Sequence, residues 1–66
     1  MRKYEENYTS LRDLEPGDVY ISKMGLEGVY VRALENDHHI LKDIENDEEY
    51  EVPHGKFPVF KKIKNV

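Results

Sequence analysis

Eight acids lie between Glu35 and Glu51 with Lys42 as their only base, a net of −7 within a chain of 66 residues. Carboxylates at this density could serve acid–base catalysis, hold a cation, or present charge to a basic partner. For catalysis the local pattern is poor. The hydroxyl nucleophile candidates are Thr9, Ser10 and Ser22, each accounted for by a capping or strand position, and none has a His and an acid beside it. Acids on turn tips are solvated and keep ordinary pKa values, which suits general acid catalysis badly. Asp37, His38, His39 and His54 are proper zinc-ligand types. Adjacent strand residues point to opposite faces, however, so His38 and His39 do not share an ion without deforming the turn. The expectation is a protein that is not an enzyme and uses neither metal nor cofactor.

Two binding chemistries remain. In the first, Asp43, Glu45, Asp47, Glu48, Glu49 and Glu51 form an acidic patch with Tyr30 as anchor, imitating the regular negative charge of duplex DNA. Its partner is a basic protein, itself nucleic-acid-binding. In the second, Tyr20 and Tyr30 are outward aromatics that stack on bases while Lys56, Lys61, Lys62 and Lys64 meet phosphates. Solvated turns account for any single acid, and four lysines near a terminus also serve as a solubilising tail. The acidic meander repels a nucleic-acid backbone, which favours the first chemistry.

The elements that position these residues are short. Sixty-six residues make one domain, and a domain of this size buries only ~60% of its unfolded surface. The net charge is −4 and there is no cysteine, hence no disulfide framework and no thiolate site. The opening Met1-Arg2-Lys3-Tyr4-Glu5-Glu6 lacks the apolar stretch of a signal peptide, and no run approaches the ~18 apolar residues of a membrane span. The expected setting is the cytoplasm.

Residues 1–10 read as an N-terminal arm, frayed or added as an edge strand, and 11–66 as the single domain. Ser10-Leu11-Arg12-Asp13 has capping-box form with Asp in place of Glu, predicting one helical turn. Glu15-Pro16-Gly17-Asp18 is a type II turn signal leading into a strand from Asp18 to Ser22. Met24 to Gly28 is a loop. A three-stranded antiparallel meander follows, its turns marked by an echo: Leu34-Glu35-Asn36-Asp37 returns as Ile44-Glu45-Asn46-Asp47.

A two-residue turn at Asn36-Asp37 pairs Ala33 with Ile40 and Val31 with Lys42, grouping Val29, Val31, Ala33, Ile40 and Ile44 on one face. A three-residue turn would group Tyr30, Leu34, Ile40 and Ile44 instead and oppose Arg32 to Lys42, a like-charge pair, so the first register is preferred. At the second turn, a three-residue loop over Asn46 to Glu48 sets Ile44 beside Tyr50 and Lys42 beside Val52, with Asp43, Glu49 and Glu51 outward. Pro53-His54-Gly55 breaks the run, and Phe57 to Ile63 supplies the last strand, limited by Pro58 to an edge or a strand start. No stretch beyond one turn has a 3.6-residue period. The fold class is all-β, a small five-stranded barrel, closed or nearly closed, since closure removes exposed edges. An SH3-like barrel ranks first and an OB-type barrel second.

The stretch Leu11-Arg12-Asp13-Leu14-Glu15-Pro16-Gly17-Asp18-Val19-Tyr20, followed by Gly28-Val29-Tyr30-Val31, resembles small SH3-like barrel proteins of bacteriophages and their Gram-positive hosts. In those proteins a DL-x-x-GDV opening leads into a YV strand and a polar meander. The resemblance covers Leu11 to Val59. It implies a phage-type binding protein, since some small acidic phage proteins disable host nucleoid and transcription factors. It carries over no site residue.

Overall fold

The computed structural model describes residues 3–64; the arm's first two residues and the last two of the chain lie outside them. The fold is all-β. Its strands are β1 (Thr9–Ser10), β2 (Val19–Ser22), β3 (Glu27–Ala33), β4 (His39–Asp43), β5 (Glu49–Val52) and β6 (Pro58–Lys61). They form one antiparallel sheet in the order β1-β6-β2-β3-β4-β5. Where a closed or nearly closed five-stranded barrel is expected, the strands form a six-stranded sheet that is not closed. The sixth strand comes from the arm, where Thr9 and Ser10 pair with Val59 and Pro58, and Tyr4 bridges Lys62.

The turn chemistry follows the sequence closely. Gly17 takes φ +95 and Asp18 N–H donates to Glu15 C=O at 2.9 Å, closing the Pro16-Gly17 corner. A 3₁₀ turn covers Leu11–Asp13 after Ser10, although no side-chain capping bond forms. Asn36, Asp37 and Asp47 sit at φ 59, 60 and 62, a region that Asn and Asp tolerate better than other non-glycine residues. Both copies of the echo are therefore chain reversals.

The register differs from expectation. Leu34 and His38 close a three-residue reversal, Arg32 pairs with Ile40, and Tyr30 pairs with Leu41. Val31 is left over as a β-bulge. In the second hairpin Lys42 pairs with Glu49, Leu41 with Tyr50 and His39 with Val52, so Lys42 is not beside Val52. The loop there spans Ile44 to Asp47, closed by the Asp43 N–H to Glu48 C=O bond of 2.9 Å.

The new register turns the meander inside out. The core is Leu11, Leu14, Tyr20, Tyr30, Leu41 and Val59, with Val52 packed against it. Val29, Val31 and Ile40 are half-buried on the other face, while Ala33 and Ile44 are exposed. Tyrosine explains the inversion. Each ring offers more apolar area than a valine, and its hydroxyl is tolerated inside once it finds a partner. Tyr30 bonds to His39 at 2.7 Å.

Tyr20 also fixes a glycine. A Cβ at Gly28 would stand 2.6 Å from the Tyr20 hydroxyl and 2.8 Å from its ring. Gly28→Ala is therefore expected to destabilise the fold by about 1–3 kcal/mol through overpacking, measured by urea denaturation. An unchanged midpoint would contradict this packing of Tyr20 across β3.

Candidate docking face and the polar lock behind it

One end of the sheet is locked by a chain of polar contacts. Asp37, at the β3–β4 reversal, accepts from Arg12 Nη2 at 2.6 Å, from the Gly55 N–H at 3.0 Å and from His39 Nε2 at 2.7 Å. A carboxylate only accepts, so Nε2 carries the proton and Nδ1 is left to accept the Tyr30 hydroxyl at 2.7 Å. Arg12 N–H returns to Gly55 C=O at 2.9 Å. His39 and Tyr30 are each 3% exposed, and both ring nitrogens are used internally. The Gly55 N–H bond, then the His39 bond and the Arg12 charge, draw the Asp37 pKa down to about 2. Burial, then Asp37, pushes the Tyr30 phenol up.

A buried acid, Asp18, disposes of part of the lysine cluster. Burial would raise the Asp18 carboxyl, but the Glu15 N–H at 2.8 Å together with Lys64 and Lys61 outweighs it and holds the pKa low. Lys64 Nζ lies 3.2 Å and Lys61 Nζ 3.6 Å from Asp18. Lys56 and Lys62 remain exposed on separate elements. Tyr20 and Tyr30, expected as outward aromatics, are core residues. Neither can stack on a base, and Tyr30 cannot anchor an acidic patch. The signal that could have moved Tyr30 inward was the spacing Asp37-x-His39, which sets two polar partners on one side of a strand start.

The opposite end of the sheet is open. Between the β2–β3 hairpin and β5 lies a groove of about 490 Å³ with Tyr20, Leu41 and Val59 among the residues at its floor. Met24, Leu26, Tyr50 and Phe57 line it and stay exposed, Met24 to 87% and Leu26 to 68%. Glu27, Asp43 and Glu45 belong to the same lining, with Lys23 as its one base. Sequence reasoning missed this groove because Met24, Leu26 and Phe57 lie outside the strands, where they carry no period.

The acidic patch is divided. Asp43 accepts the Glu45 N–H at 2.8 Å and borders the groove, as does Glu45. Glu49 and Glu51 flank Tyr50 on the other face of β5. Asp47 is 3.7 Å from Lys42, and Glu51 is paired with His38 at 2.5 Å. Glu45, Glu48 and Glu49 are exposed and have no cationic partner among the described residues. His54 stacks on Phe57 with centroids 4.4 Å apart. Among the described residues, no three His, Asp or Glu side chains converge as a metal site, and no helix is long and apolar enough to cross a membrane.

Comparison with known proteins gives no match to a family model, to a curated protein or to a solved structure.

The Asp37 lock predicts a defined acid response. An ordinary Asp titrates near ~3.9, so a carboxylate held near 2 stabilises the fold above about pH 4 and loses that contribution as the pH falls toward 2. Asp37→Asn is expected to lower the urea midpoint at pH 7 and to flatten the decline between about pH 4 and 2. Parallel pH profiles for the two proteins would contradict the assignment.

Proposed function

We propose that this chain is a non-enzymatic binding protein that docks on the basic, nucleic-acid-binding surface of a host protein, in the manner of a phage-type inhibitor that mimics DNA. The observation that carries the reading is the meeting of uncompensated acids with an apolar groove at the β4–β5 hairpin. The acids supply attraction and speed of encounter, while the groove supplies the desolvated contact that charge alone lacks. Tyr50 replaces Tyr30 as the anchor, being exposed beside both. The SH3-like assignment belongs to the same proposal. Its support is a four-strand meander, β2 to β5, with β6 returning beside β2.

Supporting the non-enzymatic part, Tyr30 and His39 are buried and their polar atoms are turned to bonds with each other and with Asp37. Nucleic acid as the direct ligand draws less support, with both tyrosines in the core and Lys61 and Lys64 engaged at Asp18.

The test is capture from a nuclease-treated lysate at rising salt, followed by competition with duplex DNA for each captured protein. The expected partner is basic, is retained after nuclease, weakens with salt and releases its DNA to this protein. The triple charge reversal Glu45→Lys, Glu48→Lys, Glu49→Lys should weaken that binding by about tenfold or more at low salt, mostly through a slower association rate. Unchanged affinity, or direct retention of DNA or RNA by the purified protein, would overturn the proposal.

A further inference from the structure

β5 ends the sheet, and among the described residues it pairs only with β4. The backbone groups left free on its outer side can be named. Asp43 N–H bonds to Glu48 C=O, so β4 turns its backbone toward β5 at position 43. Antiparallel ladders alternate, which makes Leu41 with Tyr50 and His39 with Val52 hydrogen-bonded pairs. Tyr50 and Val52 therefore turn their N–H and C=O groups toward β4. Glu49 and Glu51 turn theirs outward.

The side chains divide the same edge. Tyr50 and Val52 line the groove, whereas Glu49 and Glu51 stand on the other face, both exposed. An unpaired edge beside an apolar groove is a template for strand addition, with the main chain giving affinity and alternate side chains giving specificity. Acids on an edge strand also protect it against self-pairing. A second copy laid antiparallel on β5 would bring Glu49 against Glu51, so the edge repels its own kind. A strand with Lys or Arg at those positions meets opposite charge instead.

Resting on the docking reading above, we propose that the partner contributes an extended segment that adds to β5 as a seventh strand. Its residues alternate basic, apolar, basic. Lys or Arg lies beside Glu49 and Glu51, and an apolar side chain between them enters the groove next to Tyr50. Four residues of β5 set the length, so about four or five partner residues pair.

The probe is the capped synthetic peptide Lys-Val-Lys-Phe-Lys-Val-Lys, compared with two relatives. One has the same composition in blocks, with lysines first and apolar residues last. The other is N-methylated on alternate amides, in both possible phases. Titration against the full chain gives affinity, and amide hydrogen exchange by NMR gives the contact. In the free protein the Glu49 and Glu51 amides should exchange fast while those of Tyr50 and Val52 are protected. Saturating peptide is expected to slow Glu49 and Glu51 by about tenfold or more. The block peptide and one N-methylated phase should bind about tenfold more weakly.

If all the peptides bind alike without protecting Glu49 and Glu51, strand addition is wrong although charge-driven docking stands. Absence of binding by the alternating peptide also overturns strand addition. The docking reading itself fails separately, when charge reversal at Glu45, Glu48 and Glu49 leaves partner capture unchanged.

Discussion

Asp37 is the point on which the rest of the structure depends. One carboxylate accepts from the segment after β1, through Arg12, and from the connection between β5 and β6, through Gly55. Through His39 it also reaches Tyr30 in the middle of the core. These contacts are mutually conditional. His39 is buried with two polar nitrogens, and losing either partner would leave a buried group unsatisfied in a small low-dielectric interior. Gly55 is required at the same place, since a Cβ there would fall 2.5 Å from His39 Nε2 and 2.6 Å from Arg12 Cβ. The lock thus fixes how closely the crossing segment approaches the β3–β4 turn.

That closure at one end bears on the opening at the other. Tyr30 is drawn inward by His39, and the Val31 bulge lets β3 present Tyr30 opposite Leu41 while Arg32 stays outside opposite Ile40. A bulge increases local twist and bends its strand. The sheet therefore curls over Tyr20, Tyr30 and Leu41 without bringing its edges together, and β1 and β5 end the sheet without pairing. The space left between the β2–β3 hairpin and β5 is the groove. Polar bonds shut one mouth of the sheet, and exposed Met24, Leu26, Tyr50 and Phe57 surround the other.

Turns were legible because their residues act locally. Pro16-Gly17 and the two Asn-Asp pairs carry their backbone preferences with them, and they fall where the sequence places them. The register was not legible. Val31 carries no glycine or other mark of a bulge, yet one extra residue exchanges the faces of everything beyond it. The tyrosines were ambiguous for a related reason. A phenol reads as a surface anchor until its hydroxyl partner is known, and for Tyr30 that partner lies nine residues away across a turn. Arg12 and Gly55 were harder still, being 25 and 18 residues from the acid that joins them.

The two copies of Glu-Asn-Asp separate on the same physical ground. The first faces a chain crossing, so its aspartate finds Arg12, His39 and the Gly55 N–H and ties the turn to that crossing. The second faces open space beside a groove. Among the described residues its aspartate side chain pairs only with Lys42, at 3.7 Å with 83% of the side chain exposed, a geometry worth little to stability. Glu45 and Glu48 around it find no cation at all among the described residues. Acids that contribute little to the fold still act on encounters, because they repel a second acidic copy from the exposed apolar lining. In the docking proposed above, the same field would attract a basic chain to that lining. On that proposal, charge at the second hairpin selects which kind of surface covers the groove that the lock at Asp37 leaves open.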